Sequence, residues 1–289
     1  VEQKKAAPIS KQAKVCFKDK FWWIIIIFFF LYQLGGMLKN VSQLYFCTAQ
    51  FQGIIDAKGT IGYSSKIGGA FSGTLAIIGA IPTALGMVLA WPLSNKIGKG
   101  KAILFGAILS AIGGAIGFIA PDNFVVVCIS FAVKALGSTP AMYLSLALLA
   151  DVLDHQEAMH GFRTDGFTMT IYGAIMAGMT GIATGVLNIT LSAAGYSSDV
   201  VSSPAIQTAM TWVFIGGETI CYALIALIFI FMGVEKFSHL DKRAIVMDQK
   251  AKAEAEGVEY IDPAERLRME EEQAEKDSEE ARKAELRKY

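Results

Sequence analysis

Between Phe21 and Gly233 this 289-residue chain is almost without charge, with eight Lys/Arg and eight Asp/Glu in 213 residues. A soluble domain carries about 25% charged residues. A stretch this long with so few cannot cover itself for water, so a soluble enzyme is a poor fit. Basic residues are not in excess either: the formal net charge is zero, and no nucleic-acid partner is expected. Cysteine is scarce and scattered. Cys16, Cys47, Cys128 and Cys221 form no CxxC, and three of them sit in apolar runs, where a thiol behaves as a small hydrophobe. Three dispersed histidines and no HExxH leave no metal site, no catalytic residue and no cofactor to expect. No signal peptide is expected, since the basic start leads into an apolar run that is too long and lacks a small-residue cleavage site.

What is present is hydrophobic length. A spanning helix needs about 20 mostly apolar residues, and six stretches qualify: Phe21–Cys47, Ala70–Pro92, Ala102–Ala120, Phe124–Ala150, Phe167–Ala194 and Met210–Gly233. They lack the two-residue alternation of barrel strands. The fold class is therefore an all-α membrane protein of six transmembrane helices in a lipid bilayer, with spans three and four joined tightly at Pro121-Asp122-Asn123. Residues 1–20 form a basic segment, 21–233 the transmembrane domain and 234–289 a tail in which 28 of 56 residues are charged.

Orientation follows from lysine and arginine near the span ends. One side carries Lys4, Lys5, Lys11, Lys14, Lys18 and Lys20, then Lys96, Lys99 and Lys101, then Arg163; the other carries only Lys58 and Lys66. Both termini are expected in the cytoplasm. Trp22, Trp23, Trp91 and Trp212 fall near span ends, where amphipathic rings sit. Gly113-x3-Gly117 and Gly181-x3-Gly185 have the spacing of tight helix contacts. In the tail, 262–265 reads as a helix cap followed by Glu272–Lys276 and Glu279–Lys283 pairs, which predicts a solvated helix.

Ionisable groups inside spans are costly and ask for a role. Three occur: Lys39, Lys134 and Glu218. Lys39, Asn40 and Gln43 share one helical face, and an ammonium beside amides suits a hydroxyl-rich solute in a watery cavity. The plain alternative is that Lys39 snorkels or pairs with a carboxylate. Lys134 and Glu218 read as ion-pair partners of helices outside this chain. No two carboxylates lie at i, i+3 or i, i+4 within a span, so no cation site of that kind is expected here.

After span four come Asp151, Asp154, His155 and Glu157, then Gly161, Arg163, Asp165 and Gly166. This order resembles the D-x-x-D-[YH]-x-E…G-x-R-x-[ED]-G signature of the glycoside–pentoside–hexuronide:cation symporters, the melibiose-carrier branch of the major facilitator superfamily. Pro92 to Lys99 looks like the eighth-to-ninth loop of those carriers. The resemblance covers about residues 15 to 235 and implies the C-terminal half of a twelve-helix sugar carrier, the basic start resembling its central cytoplasmic loop. It implies symport of a sugar or glycoside with Na+ or H+ by alternating access, in the cell membrane and, for a bacterial chain, the inner membrane. The cation site is expected outside this chain, in a missing N-terminal half.

Lining is expected from the first, fourth and fifth spans, with Tyr172 and Met176 as further solute contacts. Asp151, Asp154, Arg163 and Asp165 are expected to form gating ion pairs, with helix capping as the plain alternative for Asp165. One departure stands out. Family members carry a lysine fourteen residues after the loop arginine, where this chain has Ala177; Lys39 is a candidate for the missing charge. Two rival readings are a half-carrier acting with a second copy or a separate N-terminal half, and a non-transporting membrane protein whose tail binds a partner.

Overall fold

The computed structural model describes residues 7–51, 65–197 and 200–257, with single positions beyond. Lys4, Lys5, Lys58, the expected cap at 262–264 and the tail's Glu–Lys pairs lie outside the described residues, as does the side chain of Lys66. Among the described residues the protein is helical throughout, and six helices are long and apolar enough to cross a membrane.

A short helix α1 (Ile9–Cys16) precedes α2 (Lys20–Gln50), whose N-terminus is closed by Asp19 accepting from the Phe21 amide at 2.8 Å. Then follow α3 (Ser65–Ile97) and α4 (Lys99–Gly117). The Asn123 side chain accepts from the Val125 amide at 3.0 Å and starts α5 (Phe124–His160). That helix runs ten residues past the expected end of its span. Nothing in Asp151–His160 breaks a helix until Gly161, which ends it with φ 73°, a conformation open to a residue without Cβ. Helix α6 (Asp165–Ala193) is the fifth span.

The sixth span starts earlier than hydropathy suggests. Ser203 accepts from the Ile206 amide at 3.2 Å, and Pro204 opens α7 (Pro204–Thr211). One π turn, Trp212–Gly216, leads into α8 (Gly217–Phe229). A residue inserted into an α-helix turns everything after it by about 100°, so this turn sets which way Glu218 points.

The spans pack in a closed circuit of α2, α3, α5, α4 and α8, and α6 rests against α2. Glycine makes the α4–α5 contact close. A Cβ on Gly113 would lie 2.8 Å from the Lys134 amide nitrogen, and one on Gly137 would lie 2.6 Å from the Ser110 nitrogen. Ser130 donates to the Gly113 carbonyl at 2.7 Å and Ser110 to the Lys134 carbonyl at 3.1 Å. This seam holds the Lys134 backbone in place. A Gly113→Leu variant is expected to lose about 1–3 kcal/mol of stability through overpacking, read by thermal unfolding in detergent, with most of the loss already present in Gly113→Ala. The second small-residue pair behaves differently: nothing lies within 4 Å of a Cβ at Gly181 or Gly185. Their expected tight contact is not made among the described residues. The most apolar stretches of α3 and α6 are only 22% and 28% buried, against 44–50% in the other spans, so these two helices show the barest faces.

At the basic end of the bundle the flanking segments are docked rather than loose. The Gln12 carbonyl oxygen accepts from the Phe167 amide at 3.1 Å, Gln156 donates to Asp19 at 2.8 Å, and the Trp22 indole donates to Thr168 at 2.9 Å. Past α8, Val234 is fully buried in a short turn (Val234–Lys236). Glu235 accepts from the Lys99 and Gly100 amides at 2.6 and 2.8 Å, a carboxylate at the positive end of the α4 dipole. His155 and Asp241 meet at 2.9 Å. The compact unit runs to Asp241 and a second unit begins at Lys242. Helix α9 (Ser238–Ala255) carries an exposed Asp248–Lys252 pair.

Candidate functional site

Three spans bring their charges to one point. Glu218 on α8 places one carboxylate oxygen 2.5 Å from the Lys134 ammonium on α5 and the other 3.5 Å from Lys39 on α2. The expected partners of Lys134 and Glu218 on helices outside this chain are therefore replaced by the two residues themselves. They lie 84 positions apart in the sequence, and only the packing of α5 against the rest of the circuit joins them. Phe214, just inside the π turn, sets its ring 5.5 Å from the Lys134 ammonium, and Phe131 does the same for Lys39. The two rings stack at 6.2 Å. This gives both cations an aromatic face as well as a shared anion.

A cavity of about 450 Å³ opens beside this cluster, between α2, α3, α5 and α8. Its polar groups are Lys39, Asn40 and Gln43 from α2, Thr83 from α3, and Ser138 with the charged pair; alanines and Phe131 supply much of the rest. Lys39, Asn40 and Gln43 thus share one wall. Gln43 donates its amide to the Ser72 carbonyl at 2.8 Å and hydroxyl at 3.1 Å. Both its hydrogens tie α2 to α3, which leaves its carbonyl oxygen for a ligand. The second and sixth spans supply lining that was not expected, and the fifth supplies none. Tyr172 packs edge-on against Phe29 at 4.8 Å, and Met176 joins the same apolar cluster between α2 and α6. The structure brings neither of them to the cavity. Ala177 is exposed on α6.

The cavity is a poor host for a metal or coupling cation. Among the described residues its one carboxylate already faces two ammonium groups, and a third cation would meet net repulsion.

A second charge cluster sits at the basic end, where α5 stops and α6 begins. Arg163 contacts Asp165 at 2.7 Å and both Asp154 and Glu157 at 3.0 Å. The hydrogen bond that Arg163 donates to Asp165 raises the guanidinium pKa above its ordinary value against the opposing effect of burial, with the neighbouring carboxylates adding to the rise. Asp151 also makes an ion pair at this end, with Lys99 of α4 at 2.6 Å rather than with Arg163. Glu157 joins Asp154 around Arg163, as its position three residues later on one helix face would have indicated. With 44% of the Arg163 side chain exposed, these pairs add little to stability.

Comparison with known proteins follows the same line. Residues 1–236 match the family described as MFS/sugar transport protein. A curated isoprimeverose transporter of Lactiplantibacillus pentosus is 27% identical over 267 residues, which cover 86% of this chain and 51% of the relative. The chain spans about half the length of the curated relative that it matches.

Proposed function

Since this chain belongs to the MFS/sugar transport protein family, we propose that it forms the six-helix C-terminal half of a sugar:cation symporter working by alternating access. The observation that carries this reading is the cavity lined by ammonium, amide and hydroxyl groups inside otherwise apolar spans. Such groups are expensive in a bilayer unless they face water or a solute. Carriers of this architecture place the solute between two halves, and the thinly covered α3 and α6 are the faces a second six-helix body would meet. The coupling cation, Na+ or H+, binds in that other body, because the cavity of this half repels cations. The basic end faces the cytoplasm of a cell-membrane protein, following the positive-inside rule. There the Arg163 cluster and the Lys99–Asp151 pair act as a gate, closed as they stand here and opened by their separation.

The test is uptake of a panel of labelled glycosides, isoprimeverose among them, by membrane vesicles containing this half together with the six-helix N-terminal body that completes it. The expected result is accumulation above the outside concentration, driven by an imposed Na+ or H+ gradient and lost when an ionophore collapses it. Uptake no faster than in vesicles holding the N-terminal body alone, under either gradient, would overturn the reading.

A further inference from the structure

We propose that the end of the bundle opposite the basic one holds a binding site for a primary ammonium group, the headgroup amine of a phospholipid. A second cavity, of about 390 Å³, lies there. Gln50 ends α2, Phe118 caps α4, Asp122 sits in the α4–α5 hairpin, and Gln207, Thr208, Thr211 and Trp212 come from α7 and the π turn. The donors of these side chains are largely spent. Gln50 gives both amide hydrogens away, to the Gln207 backbone carbonyl at 3.0 Å and the Thr211 hydroxyl at 2.7 Å. Gln207 donates to the Ala49 carbonyl at 3.1 Å and the Ser202 hydroxyl at 3.2 Å. The hydroxyls of Thr208 and Thr211 donate to the Pro204 and Gln207 carbonyls, each at 2.8 Å. What remains, apart from the Trp212 indole, is acceptors. The side-chain carbonyl oxygens of Gln50 and Gln207 and the Asp122 carboxylate accept nothing among the described residues.

Acceptors gathered around a carboxylate select a donor that carries positive charge. A primary ammonium brings three N–H groups and one charge, and its hydrogen bonds to carboxylate and carbonyl oxygens are of the strong, charge-assisted kind. Two further features point the same way. Helices α2 and α4 reach the cavity with their C-terminal ends, the negative poles of their dipoles, while the positive pole at the start of α7 is closed by the Ser203 side chain. Phe118 and Trp212 set their rings 5.1 Å apart on its wall, aromatic faces of the sort that attract a cation. The flanks decide between a soluble amine and a lipid. Ile119, Val125 and Trp212 stand exposed where spans end, at the depth of the headgroup boundary. Bare apolar side chains at that depth meet acyl chains, so the amine arrives on a phospholipid.

Native mass spectrometry of the purified full chain tests this, with dioleoylphosphatidylethanolamine and dioleoylphosphatidylcholine offered in equal amounts. The two lipids share acyl chains and charge, but the choline nitrogen has no N–H, so the comparison isolates the acceptors. The ethanolamine lipid is expected to be retained about tenfold more, the effect of one charge-assisted hydrogen bond. Asp122→Asn should bring the ratio close to one. Glycerophosphoethanolamine, the same headgroup without acyl chains, should bind about a hundredfold more weakly or worse. Equal retention of the two lipids by the unaltered protein would overturn the proposal. A preference that survives Asp122→Asn would remove the site from this cavity. Binding of glycerophosphoethanolamine as tight as that of the lipid would overturn the lipid source in favour of soluble amines. Asp122 makes no hydrogen bond or ion pair among the described residues that the substitution would break; where the variant nonetheless fails to fold, the comparison of lipids on the unaltered protein decides.

Discussion

In Glu218→Gln the folded protein is expected to lose about 3–5 kcal/mol of stability, the loss that follows when one partner of a buried ion pair is removed. The unfolding temperature in detergent reads it. Glutamine keeps the shape of the side chain and removes only the charge, so Lys134 and Lys39 are left facing each other without their anion. Burial makes the effect large: Lys134 and Glu218 are each 3% exposed. The combined Lys134→Met and Glu218→Gln variant is expected to recover most of the loss, because the attraction of such a pair roughly offsets the cost of desolvating it. A double-mutant cycle then gives a strong favourable coupling between the two positions. An unfolding temperature unchanged by Glu218→Gln would contradict the pair.

Lys39→Ala is expected to act on transport and hardly on folding. Its ammonium is the looser partner of Glu218 and stands partly open to the cavity, so removing it relieves repulsion on Lys134 about as much as it forfeits attraction. Stability should stay within about 1 kcal/mol. Solute uptake should fall by about tenfold to a hundredfold, the loss of one charged hydrogen bond to a ligand. Unchanged uptake at equal protein level would remove Lys39 from the site. Opposite profiles for neighbouring residues separate a charge that holds the bundle from one that serves the solute.

How far these features are legible in the sequence differs from one to the next. The six spans follow from hydropathy alone, because apolar length is a local property. The face shared by Lys39, Asn40 and Gln43 follows from helical spacing, and one cavity wall holds all three. Ser203-Pro204 is a readable helix start that hydropathy hides, since the first turns of that span are polar. The π turn at Trp212–Gly216 has no residue pattern of its own, and with it goes any sequence-based account of where Glu218 points. The Lys134–Glu218 pair joins residues on helices far apart in the chain, and spacing rules reach only a turn or two. Asp151 illustrates the same gap. Its sequence neighbours suggest Arg163, yet it pairs with Lys99, brought across by the packing of α4 on α5. Tyr172 and Met176 were expected from resemblance, and the face of α6 that carries them is turned to the Phe29 side of α2.

The central claim is that the cavity between α2, α3, α5 and α8 takes the solute. Thr83 lines it from α3, whereas Ile189 stands exposed on α6 away from it. Cysteine at each position, alkylated in vesicles by N-ethylmaleimide with and without a saturating transported glycoside, tests the claim directly. The account predicts that the glycoside slows alkylation of Thr83→Cys several-fold and leaves Ile189→Cys unaffected. Equal alkylation of Thr83→Cys with and without a glycoside that the same vesicles accumulate would contradict it.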